Sequence, residues 1–397
     1  LKIGFVGLGK LGFPVALAIE SKGHEIFGYD VNPDIQKYLD TKSIPFVEKG
    51  IEPLLDSTKL KLKSLEYIVA RSDIIFVPIQ TPHDPQYEGS TSLPKLRKDF
   101  DYSYLIDGIE SIARIAKEGK KKTIVAVIST CLPTTYEKKI KPLLNEYIEY
   151  VYTPQFIAMG TAIEDYLDPE FALIGVESDR ASSKLQEFYG TLFDKPHIVT
   201  DITTAEGIKV SYNTWITAKT VIANTWGELA HKTGMNFDDI FKAWSVSTKR
   251  LISPKYMRAG MSDGGGCHPR DNIALSWLAE SVGLSHNIFE DLMKSREDYE
   301  KWHGEFAASV AEENGLDLYI LGKAFKPETN IETGSPAILV SNLIDYPHKH
   351  VTEIEGVGVY FVATAHERYT DGYPEGSIVI DPFGYVTYTN VIKLGRK

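Results

Sequence analysis

Cysteine is nearly absent from this chain: its 397 residues hold two, Cys131 and Cys267. Two cysteines give neither a disulfide framework nor a zinc-ligand spacing, so no metal site is expected and a reducing cytoplasm is the expected setting. Also missing is any run of about 20 apolar residues, so no membrane-spanning helix is expected. No secretory signal is expected either, because Leu1–Phe5 already reads as a strand. Positive charge is in deficit. The net charge of -11 argues against a nucleic-acid groove and against docking on an anionic membrane. Anionic small ligands stay compatible, because local lysines, arginines and helix N-termini bind phosphate on an acidic protein. Short-period repeats and low-complexity tracts are lacking as well.

What is present reads as a soluble globular protein. Hydrophobic residues make up 43% and charged residues 24%, and the length predicts two or three domains. In the first half, short apolar runs alternate with helical patterns. Ile3–Val6, Glu25–Tyr29, Asp73–Ile79, Ile124–Ser129, Tyr150–Tyr152 and Ala172–Val176 read as buried parallel strands, with Gly12–Ser21 and Asp101–Ala116 among the crossover helices. This is the pattern of a doubly wound α/β sheet. Between Thr81 and Asp101 a polar, proline-bearing segment is expected to form a surface loop near the cofactor edge.

The texture changes after Thr200. Thr203-Thr204-Ala205-Glu206 is a capping-box pattern, followed by a helical period without proline as far as Gly234. About 30 residues of helix, near 45 Å, is too long for a crossover and suits a spine between domains. Trp215, Ile216, Val221, Ile222 and Trp226 supply apolar surface along it, either for a core or for a homodimer interface. After about residue 300 a second α/β pattern appears: strands at Leu318–Gly322, Val357–Ala363 and Ser377–Asp381, with a helix at Pro336–Leu343.

Two motifs carry chemistry. Gly7-Leu8-Gly9-Lys10-Leu11-Gly12 follows a strand and opens a helix, the context a dinucleotide fingerprint demands. Gly7 allows the tight turn, Gly9 lets backbone approach a pyrophosphate, and Gly12 permits close helix–strand packing. Asp30 ends the next strand, where its carboxylate accepts from a ribose 2′-hydroxyl and repels a 2′-phosphate. NAD is therefore the expected cofactor. The second motif is Gly264-Gly265-Gly266-Cys267-His268-Pro269-Arg270-Asp271. Cys267 lies between a glycine triplet and what reads as a helix start at Asp271, so the dipole favours the thiolate and the glycines admit a substrate. An exposed thiol beside a hydride acceptor suggests covalent chemistry coupled to oxidation.

The ordered motif set resembles the UDP-glucose/GDP-mannose dehydrogenase family over nearly the whole chain. The fingerprint and Asp30 are followed by Thr81-Pro82, Ser129-Thr130-Cys131-Leu132-Pro133 and Thr153-Pro154-Gln155-Phe156. Then come Gly160-Thr161-Ala162-Ile163-Glu164-Asp165, Lys209 with Asn213, the cysteine loop, and Phe325-Lys326-Pro327. The resemblance implies an N-terminal Rossmann domain (1–199), a central helical domain with the spine helix (200–300), and a smaller C-terminal Rossmann-like domain (301–397). It implies NAD-dependent oxidation of a nucleotide-diphospho sugar at C6, from alcohol to acid, through a thiohemiacetal and a thioester on Cys267. Thr81 and Thr130 would lie beside the cofactor. Phe156, Ile157, Tyr256, Gly264 and Lys326 would contact the sugar nucleotide, with Arg250 less well matched in spacing.

Physical roles follow for the matched residues. Lys209 and Asn213, four apart on a helix, share one face and would stabilise alkoxide and tetrahedral oxyanions. Thr130 would set a hydroxyl near the reacting carbon. Asp271 would orient water near the cysteine or cap its helix. His268 adjoins the cysteine, but neighbouring side chains seldom point the same way, so no catalytic role is expected of it; Cys131 is expected to be a buried filler.

The departures are as informative. The family's two carboxylates in its Pro-Glu-Phe-Leu stretch, its candidate general bases for thioester hydrolysis, are here Gln155 and Met159. Losing such a base costs about 10²–10⁴ in rate. The loop lysine is Arg270, the residues before the glycines are Ser262 and Asp263, and the family's arginine in the last domain is Thr333. Three readings stand at this point: full oxidation to the acid, an enzyme with weak hydrolysis that stops at the aldehyde or uses another nucleotide sugar, and a non-catalytic NAD or nucleotide-sugar binder.

Overall fold

The computed structural model describes residues 1–82, 85–87, 92–265 and 267–396. The chain forms two compact units, Leu1–Ala218 and Lys219–Lys397.

The first unit is a sheet of eight strands: β1 (Lys2–Val6), β2 (Glu25–Tyr29), β3 (Lys61–Leu62), β4 (Ile74–Val77), β5 (Thr123–Val127), β6 (Ile148–Tyr152), β7 (Ala172–Val176) and β8 (His197–Thr200). Their order is β3-β2-β1-β4-β5-β6-β7-β8. β1 pairs in parallel with β2 and β4, and helix Gly12–Ser21 follows β1, as the alternating pattern demands. Ile3, Phe5, Phe13, Leu17 and Phe76 pack one face of the sheet; Val6, Ile75, Val77, Leu105 and Ile109 pack the other. Burial on both faces explains why the central strands read as continuous apolar runs.

One expected strand runs the other way. β7 is antiparallel to β6, with Val151 opposite Val176 and Tyr152 opposite Gly175, so Ala172–Val176 is not the parallel strand its apolar run suggests. β8 then pairs in parallel with β7, and Gly175 leaves room for Ile202 and Ala205 of the following helix. That helix, Ile202–Thr233, is the expected long spine of 32 residues. Its start differs from the capping-box reading. Asp201 is the cap, accepting from Thr204 N–H at 2.9 Å and from Thr204 Oγ1 at 2.8 Å, while the Glu206 carboxylate turns inward. Of the polar segment between Thr81 and Asp101, residues 83–84 and 88–91 lie outside the described residues, and Pro85–Tyr87 forms a short 3-10 turn.

The second unit carries helices at Phe237–Ser245, His268–Ser281 and Ile288–Asn314, and a five-stranded parallel sheet. Its strands are β9 (Leu318–Leu321), β10 (His348–Val351), β11 (Val359–Val362), β12 (Ile378–Asp381) and β13 (Val391–Lys393), in the order β10-β9-β11-β12-β13. Ala307, Ala311, Leu318, Ala337, Val340 and Phe361 pack the Ile288–Asn314 and Pro336–Leu343 helices against one face. The architecture is therefore α/β, with an N-terminal Rossmann sheet, a helical middle with a long spine, and a smaller Rossmann-like sheet. Among the described residues, no helix is long and apolar enough to cross a membrane.

Candidate active site

The glycine loop is built as the fingerprint requires. Gly7 has φ +108° and donates to Tyr29 O at 2.8 Å, closing the turn from β1 against β2. A Cβ on Gly12 would lie 2.4 Å from Gly7 O and 2.6 Å from Pro78, so only glycine lets the helix sit this close. A Cβ on Gly9 would meet nothing within 4 Å, so its open face is where a pyrophosphate fits. The helix that follows has no side-chain cap; in its first turn Phe13 N donates to Gly9 O at 3.0 Å and Pro14 carries no N–H, so an anion here would meet the backbone of the glycine loop itself. Asp30 holds the loop as well as facing it: Oδ2 accepts from Leu8 N at 2.5 Å and Oδ1 from Asn32 N at 2.7 Å. A carboxylate has about four acceptor sites, so two such bonds leave capacity for a ribose hydroxyl.

From this loop a cleft of about 390 Å³ opens, lined by Gly9, Thr81, Thr130, Gln155, Met159 and Lys209 among others. Thr81 Oγ1 donates to Thr130 O at 3.0 Å, tying the β4 and β5 loop ends together. Lys209, from the spine helix, reaches the same cleft. Its side chain is buried, with Nζ donating to Gln155 O at 2.7 Å and lying 4.9 Å from the centre of the Phe156 ring. Burial holds its pKa below the ordinary lysine value. Beyond it lies a second pocket of about 340 Å³, lined by Phe156, Ile157, Asp165, Glu170, Lys209 and Asn213 among others. Lys209 thus borders both spaces. Phe156 is held there by Phe171 and Tyr212, at ring separations of 4.8 and 4.7 Å.

The departure at Gln155 is visible in its contacts. Its amide donates to Thr153 O at 2.9 Å and to Tyr189 OH at 3.2 Å, and Met159 is 58% exposed. Neither side chain takes up a proton. Cys131 is buried, as expected of a filler, and burial pushes its thiol pKa up.

The second unit holds the cysteine loop. Its helix begins three residues earlier than expected, spanning His268–Ser281, so Cys267 is the N-cap residue and Asp271 lies inside the first turn. Asp271 N donates to Cys267 O at 2.8 Å, and Asp271 Oδ1 accepts from Arg270 Nε and Nη2 at 3.0 and 2.8 Å. Asp271 is therefore not the cap of its helix. Cys267 is exposed and makes no side-chain capping bond, so its thiol stands free at the helix N-terminus.

The glycines of this loop have a purpose the sequence did not suggest. A Cβ on Gly264 would lie 2.8 Å from Gly334 O and 2.9 Å from Pro336, and one on Gly265 would lie 2.9 Å from the Phe325 ring. Their bare faces seat the loop on the Phe325–Pro336 segment; Gly266 lies outside the described residues. Lys326 is exposed, with Nζ 5.4 Å from the Phe325 ring centre. Tyr256 is exposed, adopts φ +63°, and sets its ring edge-on to His268 at 6.3 Å.

The first unit thus brings together the glycine loop, Asp30, Thr81, Thr130, Phe156, Ile157, Lys209 and Asn213, and the second brings together Tyr256, Gly264, Cys267 and Asp271. Sequence reasoning missed Glu206. It is buried, accepts from Tyr136 N at 2.7 Å, and leaves Oε2 without a partner. Burial pushes its pKa up to about 7, against the pull of the Tyr136, Thr134 and Thr135 N–H groups. The only sequence signal was the capping box, which assigned it to the wrong backbone.

Residues 1–193 match the NAD binding domain of the UDP-glucose/GDP-mannose dehydrogenase family, and residues 203–297 match that family's central domain. The chain belongs to this family. Relatives include the GDP-mannose 6-dehydrogenase of Pseudomonas aeruginosa, 27% identical over 357 residues that span 87% of this chain and 78% of that protein. The UDP-glucose 6-dehydrogenase of Rickettsia typhi is 25% identical over 374 residues, 90% of this chain and 82% of the relative. In fold, the chain matches a ternary complex of GDP-mannose dehydrogenase from Pseudomonas aeruginosa with a TM-score of 0.88 over 99% of both chains, at 23% identity. The protein is an NAD-dependent nucleotide-sugar dehydrogenase, and the open face of Gly9 with the uncapped helix behind it fits that cofactor.

Proposed function

We propose that the protein oxidises the C6 alcohol of a nucleotide-diphospho sugar to the uronic acid, through a thiohemiacetal and then a thioester on Cys267. The observation that carries this reading is Lys209, a buried ammonium bordering both the cofactor cleft and the adjoining pocket. NAD supplies the hydride acceptor for each oxidation. Lys209 and Asn213 stabilise the alkoxide and the tetrahedral oxyanions, where a preorganised cation in a dry site is most effective. Thr130 sets its hydroxyl beside the reacting carbon. Cys267 attacks the aldehyde from the helix N-terminus, and Asp271 orients the water that follows. Phe156 and Ile157 hold the sugar, while Tyr256, the Gly264 backbone and Lys326 hold the nucleotide diphosphate.

In this reading residues 1–199 bind NAD, 200–300 carry the lysine and the cysteine, and 301–397 bind the sugar nucleotide. The protein works in the cytoplasm as a homodimer. Trp215, Ile216, Val221 and Ile222 support the dimer, since these spine residues are 50, 51, 41 and 41% exposed. Apolar exposure of that kind along one helix marks a protein contact. Sedimentation of wild type against a Trp215→Asp, Ile222→Asp variant tests it: the variant should sediment as half the mass.

A second reading has support in Gln155 and Met159, which replace proton acceptors with an occupied amide and a thioether. There the enzyme stops at the aldehyde, or acts on a different nucleotide sugar. NADH yield per sugar consumed, across a panel of UDP- and GDP-hexoses, separates the readings. Two NADH support the acid, one supports the aldehyde, and none with any sugar defeats the assignment of a sugar substrate.

A further inference from the structure

With Gln155 and Met159 unable to accept a proton, and the Asp271 carboxylate that orients the water held by Arg270, the thioester on Cys267 needs a separate proton acceptor. His268 follows that cysteine directly, as the first residue of the helix it caps. His268 Nδ1 lies 3.3 Å from Asp263 Oδ2, and Tyr256 stands edge-on against the ring at 6.3 Å. Asp263 is itself fixed: Arg296 Nε donates to its carbonyl at 3.0 Å and lies 3.4 Å from its Oδ1, while Arg296 Nη2 donates to Gly334 O at 3.1 Å. The Arg296 side chain is 11% exposed, so this anchor is largely shielded from water. Asp263 and His268 thus meet although five residues apart in the chain.

We propose that His268, oriented by Asp263, is the general base that releases the acid from Cys267. This rests on the thioester reading above. A carboxylate 3.3 Å from Nδ1 favours the proton on that nitrogen and leaves the Nε2 lone pair to accept another. Among the described residues no partner occupies Nε2. Consecutive Cα atoms lie about 3.8 Å apart, so His268 is the chain neighbour of the acylated thiol, and a base acting through one water need not touch Sγ. The expectation of an inert His268 assumed that it would have to touch the thiol. A base for water does not.

The step balances without a further redox partner. The water oxygen bonds to the thioester carbonyl carbon as its proton passes to Nε2. The tetrahedral oxyanion collapses, the C–S bond breaks, and its electron pair leaves on Sγ. The imidazolium proton then returns to the thiolate, giving a carboxylic acid and a free thiol. The charged and titratable groups around the ring are Asp263, Arg296, Tyr256 and Cys267, with Arg270 and Asp271 bound to each other alongside.

Rapid mixing of the full-length protein and NAD with UDP-glucose or GDP-mannose tests the proposal on His268→Gln, His268→Ala and Asp263→Asn. Each variant should show a burst of two NADH per Cys267 at the wild-type rate, followed by steady turnover slowed about 10²–10⁴-fold for the histidine variants. Intact mass should show the acyl group on Cys267, and free imidazole should restore turnover to His268→Ala. Normal steady turnover in His268→Gln overturns the proposal, and so does loss of the burst together with turnover. If wild type gives no NADH, the sugar reading fails. The release step is then read with 4-nitrophenyl acetate, whose acetyl group on Cys267 should persist at least tenfold longer in His268→Gln, and equal decay overturns it.

Discussion

Lys209 Nζ lies 2.7 Å from the carbonyl oxygen of Gln155, so this buried cation of the cleft is aimed, among the described residues, by backbone and not by a carboxylate. With no counter-ion to hold its charge, burial alone acts on it and lowers its pKa. The ammonium is the form that stabilises an oxyanion, and it is lost as pH rises through that lowered value. kcat should therefore fall on the alkaline side at a lower pH than an ordinary lysine would give. Lys209→Met should cost roughly 10²–10³ in kcat, while melting temperature holds or rises because a desolvated charge has gone. Steady-state pH profiles and thermal melts check both halves.

Gly9 and Gly12 should separate binding from folding. A Cβ at Gly9 meets open space, so Gly9→Ala should leave the melting temperature unchanged and weaken NAD roughly tenfold or more, as backbone is kept from the pyrophosphate. At Gly12 the added carbon lies 2.4 Å from Gly7 O, so Gly12→Ala should lose about 3 kcal/mol of stability. Urea unfolding and calorimetric titration with NAD distinguish them.

Asp30 is expected to act twice, because it holds Leu8 N at 2.5 Å while facing the cofactor edge. Asp30→Ala leaves that N–H without its partner, at a cost of about 1–3 kcal/mol. The ratio of kcat/KM for NAD over NADP should also drop, since the charge that repels a 2′-phosphate is gone. Asp30→Asn keeps an acceptor and should lose discrimination with less stability.

Glu206 gives the fold a pH signature. Its pKa stands at about 7 in the folded protein, against an ordinary value of 4.5. Between those values the folded state binds more protons than the unfolded one, so stability falls as pH rises through that window. Glu206→Gln keeps an acceptor for Tyr136 N and removes the titration. The variant should match wild type near pH 5 and exceed it at pH 8 by roughly 1–3 kcal/mol, a bound set by the size of the shift. Urea midpoints at both pH values decide it.

Much of the fold was legible because burial on two faces writes itself as apolar runs. The runs carried no direction, which is why β7 read as parallel; strand polarity is set by its pairing with β6. Lys61–Leu62 and His348–Val351 were illegible for the opposite reason, being short or polar segments that join a sheet at its edge. In the site, glycine loop and cysteine loop were legible as local motifs. The partner of Gly264 is Gly334, seventy residues away, and no local pattern encodes such a seat. The Asp263–His268 pair was hidden likewise, since its geometry depends on Arg296 from another helix.

The reversal at β7 has a consequence for how much this region can change in length. Because β7 and β8 run against β6, the spine helix starts beside Gly175 and climbs back toward the loop that follows β6, where Lys209 meets Gln155. The helix between Ile202 and Lys209 therefore works as a ruler about 10 Å long. One inserted residue would turn the ammonium by about 100° and move it about 1.5 Å, out of both pockets. Surface loops of this enzyme can lengthen or shorten freely, but the interval from Asp201 to Lys209 admits neither insertion nor deletion.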